Sequence, residues 1–322
     1  MRNLIQFLLA AVCAGIIAPA GAQTYPAKAV RIIVPFPPGA GVDIVTRAVS
    51  GRLGEALGQQ LIIDNRAGAG GIVGAEVAAK ALPDGYTLFM GTAGILTVIP
   101  HMNSKTPYSP ERDFIPVSLV ASVPSMLVVH PSLPVKSVKD LIALARARPG
   151  ALNYASTGNG TLPHLAAEFF KAQAKVNMVH IAYKGSAPAT TDLLSGQVEV
   201  FFGNVLSVIE QVRSGRLRAL AVTSLQRQAV APDTPTMVES GFPGFEAGTW
   251  FGLLAPTGTP RDIIARLHTE VAKTVRLPDV QKQLAGQGAT TIGNTPEQFA
   301  AYIKTESAKW AKVLAASGVR AD

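Results

Sequence analysis

The chain has 322 residues, 48% of them hydrophobic and 16% charged, enough apolar surface for real cores and too much for a disordered chain. At roughly 150 residues per domain, this length predicts two domains. The formal charge is +8, but Lys and Arg are scattered singly and aromatics are only 6%, so the basic, ring-studded stripe of a nucleic-acid partner is missing.

The first 22 residues stand apart: Arg2 gives a positive start, Leu4 to Ala18 is an apolar run, and Ala20, Gly21 and Ala22 form a small-residue exit. This is the pattern of a cleavable secretory signal, since the run falls short of the ~20 residues that a bilayer-spanning helix needs. Cys13, the single cysteine, leaves with it, so the mature chain is expected to hold no disulfide, cysteine nucleophile or thiolate metal site.

From Val30 onward, short β-rich runs alternate with stretches of helical period, the pattern of βαβ units on a parallel sheet. The spacing predicts strand Val30 to Val34, a helix from about Asp43 with Ile44, Ala48, Leu53 and Leu57 inward, strand Leu61 to Asp64, helix Ile72 to Ala81 and strand Tyr86 to Gly91. Phe114 to His130 carries prolines among β-rich residues and reads as a strand crossing between lobes. A second series follows: helix Val138 to Arg148, strand Leu152 to Ser156, a helix carrying Leu165, Phe169 and Phe170, and strand Met178 to Ile181. Next come a helix with Ser186 as N-cap and Gly196 past its end, strand Val198 to Phe202, helix Val205 to Arg213 and strand Leu217 to Thr223. Trp250 to Ala255 is placed to return the chain. Three helices close it, opened by Thr259 before Pro260, by Pro278, and by a capping box from Thr295 to Gln298. In the last, Phe299, Ile303, Trp310 and Leu314 share a core-facing side. Two α/β lobes joined by two crossings leave a cleft, the default place for a ligand.

Five loops that leave strands and enter helices are rich in Gly, Ser, Thr or Asn: PFPPGAGVD at 35–43, NRAGAGG at 65–71, GTAG at 91–94, STGNGT at 156–161 and YKGSAP at 183–188. A helix start offers unpaired N–H groups and partial positive charge, so it can hold a carboxylate without arginine. Glycine lets the ligand come close, and such loops lie at the strand ends where open α/β sheets bind ligands. The run Gly68 to Gly74 approaches a dinucleotide fingerprint, yet the next strand ends in Gly91 and Thr92 where an acid is needed, and helix-on-strand packing accounts for the glycines. The sequence has no GxSxG elbow, no HExxH and no His, Asp and Glu cluster at metal spacing, so hydrolase and metalloenzyme readings lose support and no cofactor is expected. His164 and Glu168, four apart, are expected to meet as a helix-surface pair, with His164 also placed to face the cleft. His101, His130, His180 and His268 have no companions, and Tyr183 and Lys184 either offer a ring and a cation to the ligand or cover the lobe edge.

Together the stretches VPFPPGAGVD, DNRAGAGGIVGA, PDGYTL, STGNGTLPHLAAEFF, YKGSAPATTDLLSGQVEVFF, LRALAVTS and WFGLLAPTGTP resemble the extracytoplasmic solute-binding proteins of tripartite tricarboxylate transporters, the Bug family. The resemblance runs from about Tyr25 to the C-terminus. It implies an α/β, type II periplasmic-binding-protein fold, two α/β lobes with a ligand cleft between them. The expected division is signal 1–22, lobe 1 over 23–123 plus 247–322, and lobe 2 over 124–246. It further implies a periplasmic monomer that captures a small di- or tricarboxylate or aromatic carboxylate for membrane subunits of a transporter, with no catalysis, cofactor or nucleic acid. A ligand-presenting partner of a sensor kinase and an exported α/β enzyme are the alternatives.

In that family the carboxylates are held by backbone amides, small hydroxyls and water. Carried over by position, the ligand residues are Phe36, Pro38, Gly39, Ala40 and Asp43 in the first loop and Thr92 in the third. The fourth loop gives Ser156, Thr157, Gly158, Asn159 and His164, and the fifth Tyr183, Gly185 and Ser186. Two positions depart from the pattern. Ala40 stands where a second glycine is usual, and Asn204 where an acidic residue usually faces the cleft, which would favour a more anionic or less amine-bearing ligand.

Overall fold

The computed structural model describes residues 25–103 and 105–317; the expected signal lies outside them. Its strands are β1 (Val30–Val34), β2 (Leu61–Asn65), β3 (Thr87–Thr92), β4 (Phe114–Val129), β5 (Asn153–Ser156), β6 (Val179–Ala182), β7 (Val200–Asn204), β8 (Arg218–Val222), β9 (Gly248–Pro256) and β10 (Thr290–Thr291). Its helices are α1 (Gly41–Leu57), α2 (Ile72–Ala79), α3 (Ile99–Met102), α4 (Pro110–Asp113), α5 (Val138–Ala147), α6 (Leu162–Ala174), α7 (Ser186–Leu194), α8 (Val205–Arg213), α9 (Arg261–Thr274), α10 (Pro278–Ala285) and α11 (Pro296–Ser317).

β1 runs parallel to β2 and β3, and β5 parallel to β6 and β7, as expected of strands separated by helices. The two parallel groups are joined by β9 and β4, both antiparallel to their neighbours, in the order β2-β1-β3-β9-β4-β7-β5-β6. β8 and β10 also pair with β4. β4 is a 16-residue strand that serves both groups, and the changeover falls at a proline. Pairing with β9 ends at Pro124 opposite Gly248, and pairing with β7 begins at Ser125 opposite Asn204. Proline has no N–H to give a ladder, so it suits the point where one partner is exchanged for another.

Apolar faces fill three buried clusters around this sheet. α1 starts two residues before the expected Asp43 and buries Val42, Val45, Val49, Leu53 and Leu57, so Ile44 and Ala48 sit half-buried at the border of the stripe rather than in it. In α11, Phe299, Ile303, Trp310 and Leu314 are all buried, and the Phe299 ring meets Trp250 edge-on at 5.5 Å. Its capping box forms as read: Thr295 Oγ1 accepts from the Gln298 N–H and Gln298 Oε1 accepts from the Thr295 N–H.

Three local expectations are corrected. Ser186 is the first residue of α7 and caps nothing, because Gly185 takes the N-cap place. Thr259 turns its hydroxyl back to the Pro256 carbonyl, leaving Pro260 as the N-cap of α9. The loop expected at 91–94 is shorter: Gly91 and Thr92 complete β3, and a π-turn over Gly94–Val98 begins almost at once.

Candidate functional site

α1, α6 and α7 all begin at one cleft, and none of the three has a side-chain hydrogen bond at its N-cap. Their N-caps are Ala40, Thr161 and Gly185; Thr161 directs its hydroxyl to the Gly158 carbonyl at 2.7 Å instead of to its own helix. Elsewhere the pattern is mixed: α5 and α11 are capped by Ser137 and Thr295, α9 and α10 have no side-chain cap, and α8, which starts at the same cavity, is capped by Asn204. Unsatisfied N–H groups at a helix start carry partial positive charge and point outward along the axis, which makes each start an anion-accepting surface.

The three starts border one cavity, which is open to solvent. Phe36, Ala40, Gly41, Val42, Gly70, Thr92 and Gly94 line it from the β1–β3 side. Thr157, Thr161, Leu162, Pro163, Ser186 and Asn204 line it from the β5–β7 side, and Ser125, Thr249 and Phe251 come from the two crossing strands. Among the described residues, no Asp, Glu, Lys, Arg or His lines this space. The hydroxyls of Ser125, Thr157 and Ser186 make no hydrogen bond among the described residues, although these residues are only 3%, 8% and 6% exposed. These hydroxyls open onto the cavity and are not engaged within the chain, so they are free to bond to whatever enters it.

Of the residues carried over from the resemblance, Phe36, Ala40, Thr92, Thr157, Ser186 and Asn204 meet in this cavity. Gly158, Asn159 and Tyr183 line a second, outer space with Lys184, Ile99 and Met102; the two spaces share Phe36, Gly70 and Thr157. The Tyr183 hydroxyl donates to Asp192 at 2.8 Å, and burial together with that carboxylate pushes its pKa up to about 12.

The remaining six line neither space. Pro38 and Gly39 are exposed, and Gly185 abuts Pro37, where a Cβ would stand 2.9 Å from the proline ring. Asp43 is 2% exposed and faces back into the first loop, where it accepts from the Gly39 N–H at 2.9 Å, Arg47 Nε at 2.8 Å and Asn65 Nδ2 at 3.0 Å. Burial pushes its carboxyl up, but the Arg47 guanidinium and these donors outweigh it and hold the carboxyl below the usual range. Asn65 also donates to the Phe36 carbonyl at 2.9 Å, so Asp43 and Asn65 together fix the loop that carries Phe36 and Ala40.

Ser156 and His164 support the fourth loop in the same indirect way. Ser156 Oγ accepts from the Gly158 N–H at 3.1 Å and lies 2.7 Å from His180 Nε2. His164 Nδ1 accepts from the Gly160 N–H at 3.2 Å, and its ring stacks on His180 at 4.1 Å. His180, read from sequence as solitary, is the middle of a stack that continues to Tyr154 at 4.9 Å. Glu168 bonds to Lys171 and to the Tyr154 hydroxyl, and it also feels the charge of the neighbouring His164, with which a helix-surface pair was expected. Burial raises its carboxyl, but the bonds from Lys171 and Tyr154 prevail and leave it below the ordinary value.

Ser125, Thr249 and Phe251 lie in the crossing strands β4 and β9, where loop signals do not mark a site residue. The crossing strands carry four small hydroxyl residues, Ser118, Ser122, Ser125 and Thr249, among apolar ones, and only the strand pairing shows which of them reach the cavity.

Residues 45–319 match the family described as tripartite tricarboxylate transporter family receptor. Protein BugT of Bordetella pertussis is 41% identical over 308 residues, covering 95% of this chain and 94% of that protein. Among solved structures, the R. palustris protein Rpa4515 with adipate is 38% identical at a TM-score of 0.90, over 92% of this chain and 99% of the other. MatC from Rhodopseudomonas palustris with bound malate is 31% identical at a TM-score of 0.86, over 90% of this chain and 100% of the other.

Proposed function

The chain belongs to the tripartite tricarboxylate transporter receptor family, and from that premise we propose that it captures a small organic carboxylate and surrenders it unchanged to membrane subunits of a transporter. The observation that carries this reading is the meeting of three helix starts without side-chain caps, and several unpartnered hydroxyls, around a cavity that no charged side chain among the described residues lines. A carboxylate placed there accepts from backbone N–H groups already aimed at it, each charge-assisted bond contributing about 1.5–3 kcal/mol. A bare cation would meet the positive ends of the same helices and no compensating carboxylate. Adipate and malate in the two solved relatives are ligands of this chemical class.

In this reading Phe36, Ala40, Thr92, Thr157, Ser186 and Asn204 touch the ligand, while Asp43, Ser156 and His164 hold the loops that do. The lobes divide at 123/124 and 246/247, a reading supported by the change of β4 partner between Pro124 and Ser125 and by the start of β9 at Gly248. The protein works as a monomer in the periplasm, after loss of residues 1–22. A thermal-shift screen of the mature chain against aliphatic and aromatic carboxylates tests the central claim. An acid at a hundred times its Kd is expected to add about 2.7 kcal/mol of stability. Stabilisation by amines or sugars but by no carboxylate, or chemical turnover of the bound acid, would refute it.

A further inference from the structure

The two ends of the Asn204 amide have different surroundings. Asn204 closes β7 and caps α8, its Oδ1 accepting from the Leu206 N–H at 3.0 Å. Turning the amide over would break that bond and set Nδ2 against a donor, so its orientation is fixed. Nδ2 makes no hydrogen bond among the described residues, and Asn204 lines the cavity, so this donor is open to what enters it. Against it stands Gly41, the first residue of α1, where a methyl group would lie 2.9 Å from Nδ2 and 3.1 Å from Cγ. Gly41 has no left-handed backbone to explain it, so what the position supplies is space. β4 sets Ser125 directly opposite Asn204 in the ladder, with its own hydroxyl unpartnered.

We propose that Asn204 sets specificity as a donor-only group, and that Gly41 is the positioning residue that lets this amide stand against the first turn of α1. A ligand atom in the cavity beside them meets the amide N–H and the helix-start N–H groups, with no carboxylate lining the space among the described residues. It has to be a hydrogen-bond acceptor, and the partial positive charge of the helix start favours an oxyanion oxygen; an ammonium group is refused at this point. The inference rests on the carboxylate reading and narrows it.

Isothermal titration of the mature protein with malate, adipate, citrate and benzoate, and with aspartate as the amine-bearing counterpart of malate, tests it. Asn204→Asp is the informative variant, because aspartate caps helices as well as asparagine does. The Leu206 bond survives while the cavity donor becomes a charged acceptor. The acid that binds the wild type best is expected to weaken about tenfold or more in this variant. Gly41→Ala is expected to weaken it similarly, since the methyl displaces the amide from the cavity, and the ligand-free protein is expected to melt somewhat lower because the same displacement strains the Asn204 cap of α8. Placed on an Asn204→Ala background, Gly41→Ala should cost nothing further, because the methyl then has no amide to displace. Wild-type affinity in both Asn204→Asp and Gly41→Ala overturns this inference and leaves carboxylate capture standing. Failure of every acid to bind the wild type removes both.

Discussion

Asp43 shows how a residue can matter to a site that it does not enter. Its carboxylate gathers the Gly39 N–H, the Arg47 guanidinium and the Asn65 amide, so the first loop is held from behind. Asp43→Ala strands these donors, and a stability loss of about 1–3 kcal/mol in urea unfolding is expected, with weaker ligand binding although the side chain lines no cavity. The carboxyl sits below its usual value in the folded chain, so the unfolded chain binds protons more readily as acid is added. Its contribution is therefore complete above the unfolded value of about 3.9 and is lost as pH falls through the lower folded one. The stability gap between wild type and Asp43→Asn should close in that acid window; a gap that persists undiminished there would refute the assignment. From sequence, Asp43 and Asn204 were equally polar members of loops at strand ends. Only the direction each side chain takes, which depends on Asn65 and Gly41 far away in the chain, separates support from contact.

Elements were legible where a local signal marked them. The capping box at Thr295, the proline opening α10 and the apolar stripe of α11 act through neighbours within one or two helical turns, and all three form. Thr295→Ala is expected to cost about 1 kcal/mol, seen as a lower melting temperature with ligand affinity unchanged. The start of α1 was misplaced by two residues because no polar cap marks it. Sequence rules locate a helix start by the side chain that satisfies it, so a start left open for a ligand lacks the usual signpost. The same reasoning explains Ser186, whose hydroxyl was assigned to capping and instead lines the cavity.

For the molecule as a whole, alternation of strands and helices disclosed the α/β class, but the cavity wall depends on pairings that join distant parts of the chain. Thr92 lies opposite Phe251, and Ser125 opposite Asn204, through ladders that no local pattern specifies. Because no Asp, Glu, Lys, Arg or His among the described residues borders the inner cavity, none of its walls titrates near neutrality. Affinity for a fully ionised acid should stay within about twofold from pH 6 to 8 in titration calorimetry; a steep change there would contradict a neutral wall. A receptor built this way takes its pH response from its cargo. As its surroundings acidify, each acid fades from its view at that acid's own pKa, so a mixture would be sorted by acid strength before shape is consulted.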